Sequence, residues 1–117
     1  MEDLKKRTVN FFKVLGDPVR LDILEYIKNN PSTSGKIQDA LKISQSYASH
    51  QLKKLYDAEL IDFERKGKLK IYKPKNENIY KLIALIQSYI YQFEKEKFEK
   101  FSTLNGIESV SKFNDLI

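Results

Sequence analysis

Five hydrogen-bonding side chains, Gln45, Ser46, Ser49, His50 and Lys53, lie within nine consecutive residues. Amide, hydroxyl and imidazole groups can donate and accept, and lysine adds a charged donor. Such a set suits the edges of nucleic-acid bases and phosphate oxygens. Tyr47, in the same run, has two readings: insertion against a thymine methyl or a sugar, or packing on the preceding helix. Further on, Arg65-Lys66-Gly67-Lys68-Leu69-Lys70-Ile71-Tyr72-Lys73-Pro74-Lys75 carries six positive charges and no negative one. That local field favours a polyanion, nucleic acid ahead of an acidic membrane surface, although a solvated lysine-rich hairpin has the same composition. Arg65, Lys66, Lys68 and Lys70 are the candidate backbone or minor-groove contacts. They would add affinity and salt dependence more than sequence choice.

Other chemistry is poorly supplied. The chain has no cysteine and one histidine, which removes disulfides, thiolate nucleophiles and Cys-based metal sites. His50 alone makes no conventional zinc site, since zinc takes three or four protein ligands. Its competing roles are a DNA contact and an ordinary place on a helix surface. Protonated beside phosphates, it would make binding pH-sensitive. Ser49 and His50 are adjacent and point in different directions on a helix, so they form no catalytic pair. The four glycines are scattered singly, without a phosphate-binding loop. Asp62 and Glu64 read as solvent-facing partners of nearby lysines. We expect no enzyme, no cofactor and no metal site.

The elements that must position these groups follow from periodicity and caps. At 117 residues one domain is expected, with residues 1–101 as the domain proper and 102–117 as a tail. Leu4, Thr8, Phe11, Phe12 and Leu15 predict a first helix over residues 2–15, ended by Gly16. Asp17 then caps a second helix with Pro18 in its first turn and Leu21, Ile23, Leu24 and Ile27 inward; Asn29-Asn30-Pro31-Ser32 closes it. Thr33 or Ser34 caps a short third helix with Ile37, Ala40 and Leu41 inward. Ser44 caps a fourth, whose Ala48, Leu52 and Leu55 share one side and whose polar residues share the other. Of its two lysines, Lys53 is placed to join His50. Residues 60–65 and 68–73 read as a half-buried hairpin around Lys66-Gly67-Lys68, with Ile61, Phe63, Leu69 and Ile71 as its apolar positions. The order is mainly α with a small β-hairpin wing, a winged helix-turn-helix.

From residue 76 to about 101 runs the longest periodic segment. Ile79, Ile83, Ile86, Ile90 and Phe93 form a heptad-like seam, and Leu82, Leu85, Tyr89, Phe98 and Phe101 a second apolar line beside it. One chain of this size has little left to cover both, so a second subunit is the economical partner; the alternative is a helix folded back on its own domain. Ile107, Val110, Phe113 and Leu116 suggest a last short helix. No apolar stretch approaches the roughly 20 residues of a membrane span, and the N-terminus lacks a secretory pattern, so a cytoplasmic protein is expected.

Three segments resemble the ArsR-type winged-helix transcriptional regulators. They are Phe12-Lys13-Val14-Leu15-Gly16-Asp17-Pro18-Val19-Arg20-Leu21-Asp22-Ile23-Leu24, then Ser44-Gln45-Ser46-Tyr47-Ala48-Ser49-His50-Gln51-Leu52-Lys53-Lys54-Leu55, then Ala58-Glu59-Leu60-Ile61 with Gly67 and Tyr72. The resemblance covers roughly residues 8–90, with the motifs in the family's order. It implies a homodimeric repressor that occludes a promoter at a palindromic operator. It also implies dimerisation through the first and last helices, which adds Leu4 and Phe11 to the seam. Two recognition helices would then enter successive major grooves, about 34 Å apart.

The departures from the family are informative. Its arsenic, cadmium and lead sensors carry a Cys-x-Cys pair where this chain has Thr33-Ser34-Gly35-Lys36-Ile37, and its zinc and nickel sensors use Asp and His pairs where residues 76–101 contain neither. The resemblance therefore implies a member without the family's metal sites, its effector unknown: an organic molecule, a partner protein, temperature, or none. Gln51 replaces the second histidine of the family's His-His pair, and Tyr47 is bulkier than its usual threonine, so base preference is expected to differ from the family average. Glu59 stands where a glycine usually closes the recognition helix, at a cost of about 1 kcal/mol if the backbone there is left-handed. Arg20 reads as an ion-pair partner within the domain. The main competing function is a winged helix that docks on protein, with only nonspecific DNA affinity.

Overall fold

A computed structural model describes residues 2–105. The suggested last helix around Ile107, Val110, Phe113 and Leu116 lies outside the described residues. α1 spans Glu2–Leu15 and stops where Gly16 N–H bonds the Phe12 carbonyl at 2.9 Å. A Cβ on Gly16 would meet that oxygen at 3.1 Å, so the close approach favours glycine. Asp17 is extended and its carboxylate accepts from Arg20 N–H at 3.0 Å, capping α2 (Pro18–Ile27) with proline in its first turn. Ile23, Leu24 and Ile27 are fully buried. Leu21, expected inward, is 38% exposed. At about 100° per residue it lies at the rim of the arc that the other three define.

α3 spans Ser34–Leu41, and its cap is Thr33, whose hydroxyl accepts from Lys36 N–H at 3.3 Å. Ile37 is buried and Leu41 half-buried, but Ala40, expected inward, is exposed, because it sits on the far side of Ile37 from Leu41. α4 spans Gln45–Asp57, with Ser44 accepting from Tyr47 N–H at 3.2 Å. Between the two helices Lys42 adopts φ 55°, ψ 49°, and Ile43 N–H returns to the Gln38 carbonyl at 3.1 Å. This left-handed C-terminal turn is one that glycine usually makes. We expect Lys42→Gly to raise stability by about 1 kcal/mol, read as a higher Tm in thermal unfolding. A lower Tm would mean that the lysine side chain offsets the strain.

α4 ends in the same way. Glu59 has φ 62°, with Glu59 N–H to the Tyr56 carbonyl and Leu60 N–H to the Leu55 carbonyl, both at 3.0 Å. That is the paired bonding of a Schellman turn, so the left-handed geometry anticipated at Glu59 is present. The chain then enters an antiparallel hairpin, β1 (Ile61–Lys66) and β2 (Leu69–Pro74), one residue later than the sequence suggested. Gly67, at φ 62°, and Lys68 make the two-residue turn; with φ positive only at Gly67, it is of type II′. Ile61 pairs with Pro74, Phe63 with Tyr72 and Arg65 with Lys70.

That register corrects the picture of a single apolar hairpin face. Ile61 and Phe63 point one way, whereas Leu69 and Ile71 point the other, opposite Lys66 and Glu64. Leu69, at the tip, is 57% exposed. Ser32 and Tyr72 exchange backbone bonds of 3.0 and 2.8 Å, which anchors β2 to the segment after α2. The interior of this compact unit, which ends at Glu77, is built from Val14, Leu15, Ile23, Leu24, Ile27, Ile37, Ala48, Leu52, Leu55, Leu60 and Ile61.

A separate unit begins with α5 (Asn78–Asn105), whose 28 residues extend for about 42 Å. Ile79 is buried and Ile83 half-buried, while Leu82, Leu85, Ile86, Tyr89, Ile90, Phe93 and Phe101 are exposed. Among the described residues no helix is long and apolar enough to cross a membrane.

Candidate nucleic-acid interface

On α4 the side chains sort by angle. Ala48, Gln51, Leu52 and Leu55 are buried, and Ser46, Ser49, His50 and Lys53 emerge on the opposite side. Gln45 is exposed in the first turn, and Tyr47 is exposed on the flank. Lys53 donates to Asp57 at 3.0 Å, one turn further on, which leaves two of its three N–H groups for another acceptor. Ser44 is occupied by its capping role and lies 3.4 Å from the Ser46 hydroxyl.

Gln51 does not reach this outer face. It is 3% exposed and faces the start of α2, where its carbonyl accepts from Arg20 Nη1 at 2.6 Å and its amide lies 3.4 Å from Asp17 Oδ2. Gln51 therefore makes no direct contact from the outer face: the side chain is part of an internal network, and any effect on base preference would pass through the seating of α4. The signal was in the spacing, since Gln51 follows Ala48 by three and precedes Leu55 by four. Arg20 is also corrected. It makes no salt bridge among the described residues; its guanidinium donates to the carbonyls of Val14 at 2.6 Å and Lys13 at 3.2 Å as well as to Gln51. A cation thus closes the last turn of α1, where carbonyls lack helical partners and the helix dipole is negative, and ties that turn to α4.

The six cations of the hairpin region also divide. Lys73 bonds Glu64 across the ladder, and Lys75 reaches Glu59 at 3.2 Å. The Glu64 carboxylate is held below its ordinary pKa by the hydrogen bond and charge of Lys73, and Lys73 is raised by the same contact. The other four, Arg65, Lys66, Lys68 and Lys70, make no salt bridge among the described residues. These are the four that the sequence singled out.

They occupy two environments. Arg65 and Lys70, paired across the ladder, lie over the Phe63 ring, with Cζ at 5.6 Å and Nζ at 4.7 Å from its centroid. Tyr56 and Tyr72 flank the ring at 5.4 and 5.8 Å. Cation–π attraction at such distances restrains the two charges. Burial among these groups raises the Tyr72 pKa, so its hydroxyl stays protonated. Lys66 and Lys68 flank the turn glycine without an aromatic support among the described residues. No group of three His, Asp or Glu side chains converges on a metal-sized site among the described residues. Of the seam residues, Leu4, Ile86, Ile90 and Phe93 are exposed and Phe11 and Ile83 half-buried, each within its own unit.

Two short capped helices joined by a left-handed turn, followed at once by a basic antiparallel hairpin, define a winged helix-turn-helix protein. Residues 17–62 match the bacterial regulatory protein, arsR family. Transcriptional repressor SdpR of Bacillus subtilis is 40% identical over 63 residues, covering 54% of this chain and 70% of the relative. The chain belongs to the arsR family of bacterial regulatory proteins. Among solved structures, M. tuberculosis Rv0081 is 26% identical with a TM-score of 0.74, covering 81% of this chain and 96% of that one. A homodimeric winged helix-turn-helix DNA-binding domain from Mycobacterium bovis, a possible ArsR-family regulator, superposes with a TM-score of 0.71 at 24% identity, over 78% and 84% of the two chains. The latter likeness is one of fold.

Proposed function

We propose that this regulator is a transcriptional repressor that binds a palindromic operator in duplex DNA as a homodimer and acts by occluding the promoter, in the cytoplasm. The observation that carries the reading is the coexistence of four wing cations free of salt bridges among the described residues with an exposed polar face on a capped helix that follows a tight turn. Ser46, Ser49, His50 and Lys53 read bases, with Gln45 and Tyr47 at the flank. Arg65, Lys66, Lys68 and Lys70 hold the backbone or minor groove. The repressor role follows the name of the Bacillus subtilis relative, and homodimerisation follows the Mycobacterium bovis domain. Leu4 and Phe11 on α1 and Ile83, Ile86, Ile90 and Phe93 on α5 supply apolar surface for the second subunit. Ile79, in the first turn of α5, continues the same seam. Residues 1–101 would then act as the functional domain. Regulation does not pass through the family's metal sites.

Selection of bound fragments from genomic DNA by the purified protein tests the reading. The expected product is a two-fold repeat with half-sites one helical turn, about 34 Å, apart. Ser49→Ala or His50→Ala should relax the selected sequence by about 1–3 kcal/mol of discrimination at one base position per half-site. Recovery of random fragments at micromolar or weaker affinity would instead favour the adaptor function.

A further inference from the structure

A cleft of about 330 Å³ opens between the C-terminal ends of α1 and α4 and the start of α2, at the end of α4 remote from Gln45. Asn10, Lys13, Arg20, Lys54 and Asp57 supply its polar lining. Lys13 and Lys54 make no salt bridge among the described residues, while the one acid, Asp57, is neutralised by Lys53 at 3.0 Å. Arg20 commits an N–H group each to Val14, Lys13 and Gln51, so two of its five donors remain. Three cations therefore surround a cleft of metabolite size with no uncompensated negative side chain.

We infer that this cleft binds a small polyanion bearing carboxylate or phosphoryl groups, and that occupancy is transmitted to α4 through Arg20 and Gln51. The placement is compatible with the rest of the molecule. Lys13 lies on the side of α1 opposite Leu4 and Phe11, by helical spacing, so the apolar surface and the cleft do not compete. Lys54 stands on the flank of α4 between buried Gln51 and the exposed polar arc, toward the end of the helix remote from Gln45. An anion that takes up the two remaining N–H groups draws on the same guanidinium that holds the Gln51 carbonyl, and so pulls against that bond. Gln51 is buried and Arg20 is its link to α1, so weakening that bond loosens the seat of the helix that carries Ser49 and His50. The effect on DNA rests on the function proposed above; anion binding does not.

The test is a titration of the full ¹⁵N-labelled chain with citrate and, separately, with pyrophosphate, at ionic strength held constant with sodium chloride. Saturable amide shifts are expected around Lys13, Arg20, Gln51 and Lys54, and Lys13→Ala with Lys54→Ala should weaken them about tenfold. The probe that binds identifies carboxylate or phosphoryl chemistry. Shifts confined to Lys66 and Lys68, equal binding by the double variant, or no saturation by either probe would overturn the site. In a second arm, the bound probe should lower duplex affinity of the wild type but not of the double variant. An unaltered wild-type affinity overturns the coupling. A double variant that binds duplex more weakly without any probe makes the cleft a DNA backbone contact and overturns the proposal. If no duplex is bound under any condition, the repressor function fails while the titration still decides the cleft.

Discussion

Lys66→Ala combined with Lys68→Ala is expected to weaken binding to all duplexes alike, leaving the preferred sequence unchanged. Both lysines flank the turn glycine and make no salt bridge among the described residues, so each is available to a phosphate. The homodimer proposed above would lose four such contacts, and at about 0.9 per phosphate the slope of log affinity against log salt should become shallower by up to about 3–4. Lys73→Ala supplies the contrast. Its ammonium is already engaged by Glu64, so its removal should alter the slope much less. Measurement of duplex affinity between low and physiological salt checks both. Equal slopes for the wild type and the double variant would remove the wing from the interface. A changed sequence preference would make these lysines readers of bases rather than holders of the backbone.

The second large effect is on stability. Arg20→Ala removes three hydrogen bonds from one guanidinium and leaves the carbonyls of Lys13 and Val14 without their cap, together with the buried carbonyl of Gln51. Bonds from charged donors contribute about 1.5–3 kcal/mol each and do not add, and an unsatisfied buried acceptor carries its own penalty. We expect a total loss of about 3 kcal/mol, read as a lower denaturant midpoint at unchanged m value. Arg20→Lys should recover only part, because a single ammonium lacks the planar fork that reaches α1 and α4 together. A loss below about 0.5 kcal/mol for Arg20→Ala would place it among ordinary surface substitutions and refute the network.

These two expectations differ in how far they could be read before the fold was known. The wing cations were legible as a set, because a run of like charges around a turn glycine is a local property. That Glu64 would pair with a nearby lysine was legible too; which lysine it takes was not, nor the pairing of Lys75 with Glu59, 16 residues away, which together leave four of the six outside salt bridges among the described residues. The recognition face of α4 was legible from helical spacing, with the same spacing placing Gln51 inside. Arg20 was read as an ion-pair partner within the domain, and Asp17 is the acid nearest to it in sequence on the N-terminal side. That aspartate is engaged by the Arg20 backbone N–H rather than by the guanidinium, which turns toward α1 and α4.

By itself the sequence determined the order of elements and most of their ends. Asp17 with Pro18, Thr33 and Ser44 each act on backbone groups within three or four residues, and Gly67 needs only its own dihedral freedom. Such signals require no knowledge of the rest of the chain. Tertiary structure alone decided which members of an apolar stripe are covered, leaving Leu21 and Ala40 exposed. It also set the hairpin register that turns Leu69 away from Phe63 and seats Arg65 and Lys70 on that ring. A one-residue change of register exchanges the faces of a strand, and partners 31 residues apart, as Arg20 and Gln51 are, meet only when the helices that carry them pack.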